Sequence, residues 1–134
     1  MNVQILMSIH PEYVKSILCG VKRFEYRKIR CRLAPSLIII YATAPVKRIV
    51  AEVSVSAVLE GTLETVWSTT KDYAGISYGE YKKYFAGSKT AIAYKLGVVR
   101  KYDVPKPLSD YGLRSAPQAF LYYFGGNSAH ENRP

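Results

Sequence analysis

The chain has 134 residues and a formal net charge of +9, with 19 Lys and Arg against 10 Asp and Glu. A chain of this length forms one domain whose core needs neither disulfides nor a structural metal. The two cysteines have no metal-ligand spacing, no apolar run is long enough to cross a membrane, and no apolar signal segment precedes the first strand. We therefore expect a cytoplasmic protein without cofactor or metal, and its charge favours polyanionic partners.

The first two predicted elements are a strand over residues 3–9 and a short helix. Pro11 suits the first helical position, and Glu12 suits the first turn, where an acid is stabilised by the helix dipole. Gly20 suits the left-handed residue that ends a helix. The apolar stripe of this helix consists of Tyr13, Val14, Ile17 and Leu18.

A strand rich in charge is predicted directly after Gly20. Arg23, Glu25 and Arg27 share one of its faces, and two aromatic residues occupy the other. One interpretation is a solvated strand face with ion pairs that contribute only about 0 to 1 kcal/mol each. The other is a functional surface, since basic residues are concentrated in this strand and the turn after it: Lys22, Arg23, Arg27, Lys28, Arg30 and Arg32.

The remaining pattern is dominated by strands. Residues 36–43 are predicted to form a buried central strand, and residues 46–59 and 90–98 alternate as strands with one buried face. Between the last two lies a helical pair, the second member of which begins at a capping box from Ser77 to Glu80. Residues 119–124 are predicted to close the sheet, which gives one domain over residues 1–124 and a mobile tail over residues 125–134.

This order of elements predicts an α+β fold and not a doubly wound α/β fold. One helix follows the first strand, and a helical pair is inserted before the late strands. The pattern is typical of a small, mostly antiparallel β-barrel with helices at its ends.

Several short motifs occur in a characteristic order over residues 3–123. The most specific is Gly20-x-Lys22-x-x-Glu25-x-Arg27, which lies between Ser8-Ile9-His10-Pro11 near the start and Pro117-Gln118-x-Phe120 near the end. This series resembles the ASCH family (activating signal cointegrator homology), whose members are small domains with a PUA-like β-barrel. The resemblance implies a cleft between the barrel and the helices, to which the Gly-x-Lys segment contributes polar groups.

The residues of this segment have chemistry suited to a nucleotide. Lys22 offers a compact cation, and Arg27 offers a planar fork for a phosphate or a base edge. Glu25 lies two residues from Arg27 on the same strand face, where it orients Arg27, accepts hydrogen bonds from an exocyclic amine, or acts as a base. The alternative is a purely structural ion pair.

The chain also has twelve tyrosines, against four Phe and one Trp. Unpaired bases stack on aromatic faces in RNA recognition. We therefore predict that Tyr26, Tyr41 and Tyr73 form walls of the cleft, with ordinary packing as the alternative for each. The complete set of predicted ligand-binding or RNA-binding residues is Lys22, Arg23, Glu25, Tyr26, Arg27, Lys28, Tyr41 and Tyr73.

The sequence leaves three functions open. The first is an RNA-binding module linked to transcription or translation, which binds a nucleotide, single-stranded RNA or a modified base. The second is an enzyme on RNA or nucleosides, with Lys22 and Glu25 as the proton-transfer pair. The third is a protein-interaction domain, whose protein partners the sequence does not identify.

Two enzymatic activities are implied by the resemblance. Some ASCH proteins resemble ribonucleases. Others resemble amidohydrolases that deacetylate N4-acetylcytidine with a Lys, a Thr and a Glu that precedes the second inserted helix. This chain keeps Lys22, but Glu25 stands at the threonine position and no glutamate occurs in residues 72–75. Ala119 also replaces the serine that usually follows Pro-Gln. These departures count against the amidohydrolase reaction.

Overall fold

A computed structural model describes residues 2–125, so the predicted tail lies outside the described residues except for Gly125. The described chain contains six strands and three α-helices. In chain order they are β1 (Gln4–Ile9), α1 (Pro11–Leu18), β2 (Phe24–Arg27), β3 (Leu37–Ala42), β4 (Arg48–Thr62), α2 (Leu63–Thr70), α3 (Tyr78–Tyr84), β5 (Thr90–Lys106) and β6 (Phe120–Tyr123). None of the helices within residues 2–125 has the length and apolar character that a membrane-spanning helix needs.

The strands form one six-stranded sheet in the order β2-β5-β4-β3-β1-β6. Only β1 and β3 run parallel, and the four other neighbouring pairs are antiparallel. The α+β class is confirmed, as are the helix after the first strand and the helical pair inserted between β4 and β5. Closure into a barrel is not confirmed, because the two edge strands β2 and β6 do not pair with each other in the described chain.

Local sequence signals explain where the helices begin and end. Pro11 is the first residue of α1, and Gly20 has a φ of +83° just beyond its end. Thr62 caps α2 by accepting a hydrogen bond from the backbone N–H of Thr65. The predicted capping box at the start of α3 is confirmed, since Ser77 and Glu80 each accept a hydrogen bond from the other's backbone N–H.

Both faces of the sheet are buried near its centre. On the α1 side, Ile38 and Ile40 pack in a cluster with Val14 and Ile17. On the opposite side, Ile39 lies in a second cluster, so β3 is buried on both faces as predicted. A third cluster holds α2 and α3 against β2 and β5, and its members include Phe24, Tyr26, Val66, Tyr81 and Phe85.

Hydrogen bonds that involve side chains connect β2 and the loop after it to strands β1, β5 and β6. The loop after β2 donates its Cys31 and Leu33 backbone N–H groups to the hydroxyls of Tyr94 on β5 and Tyr122 on β6, at 2.9 Å and 3.0 Å. Arg27 at the end of β2 donates from Nη2 to the Ser8 carbonyl of β1, at 3.2 Å. A cavity lies where this arginine approaches β1.

Candidate functional site

This cavity, which we call the β2 pocket, has a volume of about 330 Å³. Its walls come from the end of β1, the start of α1, strand β2, helix α3 and the segment before β6. The lining residues are Ser8, Ile9, His10, Tyr13, Lys22, Glu25, Tyr26, Arg27, Thr43, Ile76, Glu80, Tyr84 and Gln118.

Lys22 is almost completely buried in the wall of this pocket, with 3% of its surface exposed. Its Nζ donates a hydrogen bond to the Ala74 carbonyl at 3.0 Å and lies 3.9 Å from Glu25 Oε1. The ammonium also lies 4.9 Å from the centroid of the Tyr26 ring and 5.5 Å from that of Tyr13. Burial lowers the pKa of Lys22 below its ordinary value, and the negative charge of Glu25 opposes part of that effect.

Glu25 lies between the two cations of the pocket, the buried Lys22 and the half-buried Arg27. It is 7% exposed, and its Oε2 accepts a hydrogen bond from Arg27 Nη2 at 2.8 Å. The same Arg27 nitrogen reaches the Ser8 carbonyl, whereas Arg27 Nε is buried and has no hydrogen-bond partner in the described chain. The predicted ion pair therefore exists, but it lies in a pocket wall and not on a solvated strand face.

Gly75 allows Lys22 to occupy this position. Its φ is +70°, and a Cβ built on it would overlap the Lys22 side chain. Glycine therefore meets two requirements here, a left-handed backbone and the absence of a side chain. The neighbouring Ala74 supplies the carbonyl that Lys22 binds, so this turn after α2 both accommodates and orients the lysine.

Glu80 and Tyr13 lie in the pocket, although sequence reasoning assigned them only to a helix cap and to an apolar stripe. The Tyr13 hydroxyl donates to Glu80 Oε2 at a long 3.5 Å. Burial and then the charge of Glu80 raise the pKa of Tyr13. Hydrogen bonding from the Ser77 backbone N–H lowers the pKa of Glu80. Residues 72–75 contain no glutamate, but α3 brings one into the pocket from a few residues later.

The structure separates the three tyrosines predicted to be pocket walls. Tyr26 lines the pocket, donates its hydroxyl to Thr70 Oγ1 at 2.7 Å, and has a pKa raised by burial to about 12. Tyr41 does not line it, because alternation along β3 places this side chain in the cluster on the opposite sheet face. Tyr73 lies outside the pocket and packs against Arg23, with the guanidinium carbon 4.2 Å from the ring centroid.

Arg23 and Lys28 also lie outside the pocket lining. They flank β2 at its two ends, directly before Phe24 and directly after Arg27. Lys28 Nζ lies 5.0 Å from the centroid of the Tyr84 ring, which is part of the pocket wall. Of the eight predicted site residues, the pocket thus brings together Lys22, Glu25, Tyr26 and Arg27, and it leaves Arg23, Lys28, Tyr41 and Tyr73 out of the lining.

Further polar groups complete the walls. His10 Nδ1 lies 3.3 Å from Thr43 Oγ1, the Ser8 hydroxyl donates to the Pro117 carbonyl at 2.7 Å, and Gln118 lines the pocket beside them. No group of three or more His, Cys, Asp and Glu side chains within residues 2–125 is placed to hold a metal ion. The chemistry that this lining supports is hydrogen bonding and proton transfer.

Residues 7–105 match the ASCH domain, and the chain belongs to the ASCH domain family. It is 34% identical over 94 residues to an ASCH domain-containing ribonuclease of Zymomonas mobilis, a match that covers 69% of this chain and 64% of that protein. It is 32% identical over 85 residues to the large ribosomal subunit protein uL22 of Ureaplasma parvum, covering 63% of this chain and 27% of that protein. The crystal structure of ASCH from Zymomonas mobilis superposes with a TM-score of 0.83 at 28% identity, over 91% of this chain and 88% of that one.

Proposed function

We propose that this protein binds single-stranded RNA and that the β2 pocket takes the base of one unpaired nucleotide. The observation that carries the proposal is the buried pair Lys22 and Glu25, with the half-buried Arg27 beside it, in the wall of an open cavity. Burying charges is costly and adds little net stability even when they are paired. Such groups in a cavity are therefore characteristic of a functional site.

The charge balance of the pocket favours a base over a phosphate. Lys22 and Arg27 contribute two positive charges, and Glu25 and Glu80 contribute two negative ones. A phosphate in the pocket would lie near both carboxylates, whereas a neutral base can use cationic donors and carboxylate acceptors on its polar edge. Tyr13 and Tyr26 line the pocket beside these groups, and aromatic rings suit contact with a base.

The choice of RNA rests on charge and on a relative. The net charge of +9 favours a polyanion, and the Zymomonas protein is named a ribonuclease. A role in transcription or translation belongs to the same proposal, and a ribosomal protein among the relatives is in keeping with it.

A second candidate function is cleavage of the bound RNA, and the lowered pKa of Lys22 favours it. A lysine that loses its proton more readily than usual can act as a general base at the 2′-hydroxyl. The 2′-oxygen would then bond to the adjacent phosphorus as the bond to the 5′-oxygen breaks, and that oxygen would take up a proton. Hydrolysis of an amide on a modified base would use the same lysine, with Glu25 as its partner in proton transfer.

The test uses a mixed-sequence, end-labelled single-stranded RNA, examined on native and denaturing gels. The variants are Lys22→Met, which removes the buried ammonium, and Arg27→Gln, which removes the guanidinium. Arg100→Gln is the matched control, because Arg100 is exposed and paired with Glu52 away from the pocket. A native-gel shift that Lys22→Met and Arg27→Gln weaken, and Arg100→Gln leaves unchanged, supports the binding proposal.

The two gels separate the two candidate functions. Shortened RNA on the denaturing gel with the wild type, but not with Lys22→Met, would establish cleavage. Intact RNA throughout would leave binding alone. A wild-type protein that neither shifts nor shortens RNA at any salt concentration would overturn both.

A further inference from the structure

We infer that the single strand extends past the β2 pocket in both directions, and that Arg23 with Tyr73 and Lys28 with Tyr84 bind the nucleotides on either side. This inference rests on the proposed function and deepens it. It states that the ligand is a nucleotide inside a chain and not a free nucleoside. It also assigns roles to two cation-aromatic pairs that the pocket itself does not require.

The first reason is that these two cations have no carboxylate partner in the part of the chain that the structure describes. Within residues 2–125, Arg27 is paired with Glu25 and Arg30 is paired with Glu60, whereas neither Arg23 nor Lys28 forms an ion pair with a carboxylate. Both instead lie against aromatic rings, at 4.2 Å for Arg23 and 5.0 Å for Lys28. A cation held by a ring keeps its full charge for a phosphate.

The second reason is that the rings are accessible. Tyr73 is 47% exposed and Tyr84 is 40% exposed. Two further contacts hold Arg23 beside Tyr73, since its Nε donates to the Gly20 carbonyl and its backbone N–H donates to the Tyr73 carbonyl. Bases stack on tyrosine rings and on guanidinium planes, so each pair presents a surface for a neighbouring base as well as a charge.

The third reason is the position of the pairs relative to the pocket. Arg23 follows Lys22 directly and Lys28 follows Arg27 directly, so each pair adjoins one of the two cations of the pocket. Residues 23 and 28 are five steps apart along an extended backbone, which is about 17 Å. This distance exceeds the spacing of successive phosphates along a strand several-fold, so the two pairs contact different nucleotides. A mononucleotide in the pocket cannot reach both pairs.

The experiment compares two probes on the full chain by fluorescence anisotropy over a range of salt concentrations. One probe is a labelled mixed-sequence single-stranded RNA of about seven nucleotides, longer than the expected span, and the other is a labelled mononucleotide. The variants are Arg23→Ala, Lys28→Ala and Tyr73→Ala, with Tyr73→Phe to retain the ring. Lys106→Ala is the matched control, because Lys106 also lies over a tyrosine, at 4.6 Å from the Tyr102 ring, but far along β5 from the pocket.

We expect each of the three alanine variants to weaken binding of the longer RNA about tenfold. Arg23→Ala and Lys28→Ala should each also reduce the salt slope by about one. Binding of the mononucleotide should stay within about twofold of wild type for every variant, and Tyr73→Phe and Lys106→Ala should behave like the wild type with both probes.

Several outcomes would overturn the inference. If the longer RNA binds no more tightly than the mononucleotide, or if Arg23→Ala and Lys28→Ala match Lys106→Ala, the flanking sites do not exist while binding in the pocket stands. A duplex of equal length that binds as tightly as the single strand would overturn the proposed function as well, because its paired bases are not free to enter the pocket. If the wild type binds neither probe, the proposed function fails, and this inference fails with it.

Discussion

The two cavities beside helix α1 differ in size and in chemistry. The larger one, which we call the α1 groove, has a volume of about 600 Å³ and is lined mostly by apolar side chains such as Val14, Leu18, Val46 and Val50. Its charged residues, including Lys15, are exposed. The β2 pocket has about half that volume but contains Lys22 and Glu25 in buried positions. Buried charge, and not volume, therefore distinguishes the candidate functional site from the other cavity.

Helix α1 separates the two cavities. Tyr13 faces the β2 pocket, and the adjacent Val14 faces the α1 groove and the core. Substitutions on the groove side should therefore change the free energy of unfolding without changing ligand binding. Substitutions in the pocket should change both the free energy of unfolding and ligand binding. The size of each change should depend on the ion pairs and hydrogen bonds that the substituted residue makes.

The largest effect is expected from Glu25→Ala. It leaves the buried Lys22 and the half-buried Arg27 without their shared carboxylate, so the free energy of unfolding should fall by about 3 to 5 kcal/mol. Glu60→Ala is the matched control, because its ion pair with Arg30 is about half exposed on both sides, and it should cost no more than about 1 kcal/mol. Urea denaturation measures both. Equal losses would mean that the pocket charges behave as ordinary surface charges.

Gly75→Ala should have the next largest effect. A left-handed backbone costs a non-glycine residue about 1 to 2 kcal/mol, and overlap with Lys22 adds about 1 to 3 kcal/mol. Gly87→Ala isolates the first contribution, because Gly87 has a φ of +85° and open space around its Cβ position. Only Gly75→Ala should also reduce RNA binding, since it displaces the lysine. A pair of variants with equal stability and equal RNA affinity would contradict this account of the turn.

Alkaline pH should weaken the fold through the buried pocket wall. The folded-state pKa of Tyr26 is about 12, against 10.0 for an ordinary tyrosine. The folded protein therefore holds this proton more tightly than the unfolded chain does. The resulting stability is fully present below pH 10 and is lost as pH rises from 10 towards 12. Two pKa units correspond to at most about 3 kcal/mol.

Tyr26→Phe provides the test of this pH dependence. Below pH 10 it should be less stable than wild type by about 1 kcal/mol, because it lacks the hydrogen bond to Thr70. Above pH 10 the difference should shrink, since phenylalanine has no proton to lose. Denaturation curves across this range measure it, and a constant difference at all pH values would refute the assigned cause.

A smaller effect is expected on the groove side. Val14→Ala removes two methyl groups from a buried position and should lower the free energy of unfolding by about 2 kcal/mol. RNA affinity should remain that of the wild type at temperatures where the variant is folded. Lys22→Met should show the opposite pattern, because its affinity for RNA should fall by more than its free energy of unfolding. A loss of RNA affinity in Val14→Ala would show that the two cavities are coupled through α1.

The sequence predicted the elements of the pocket better than their arrangement. Strand alternation and the spacing after Gly20 correctly placed Glu25 and Arg27 on one face of β2. Of the two interpretations of that face, the solvated one does not hold for Glu25 and Arg27, because residues of β1 and α3 line the same pocket, and that packing depends on contacts between residues far apart in sequence. Whether a sheet closes into a barrel also depends on contacts between residues far apart in sequence, because the pairing of two edge strands leaves no local sequence pattern.

Tyr41 was predicted to line the pocket and does not, whereas Glu80 lines the pocket and was not predicted to. Tyr41 is close in sequence to the motif segments, but strand alternation in β3 places it on the far face of the sheet. Glu80 was visible only as the end of a capping box, which accounts for one of its carboxylate oxygens. The other oxygen faces Tyr13 across the pocket. The signal that could have found it is the helical spacing from Glu80 to Tyr84, two pocket residues on one face of α3.

The smallest expected effect on stability, and the most specific effect on the pocket, comes from Glu80→Gln. Glutamine can still accept the Ser77 hydrogen bond, so the free energy of unfolding should stay close to that of the wild type. The loss of negative charge should lower the pKa of Lys22 further and should also lower that of Tyr13 towards its ordinary value. NMR titration of the lysine ammonium and the tyrosine ring measures both shifts.

Glu12→Gln is the matched control for Glu80→Gln. The charge of Glu12 contributes to the raised pKa of Tyr13 but does not act on Lys22. Glu12→Gln should therefore lower the pKa of Tyr13 alone, whereas Glu80→Gln should lower both. If the two variants give the same result at Lys22, Glu80 does not share the pocket with the lysine in solution. The pocket would then hold two cations against one carboxylate, and its charge would favour a phosphate over a base.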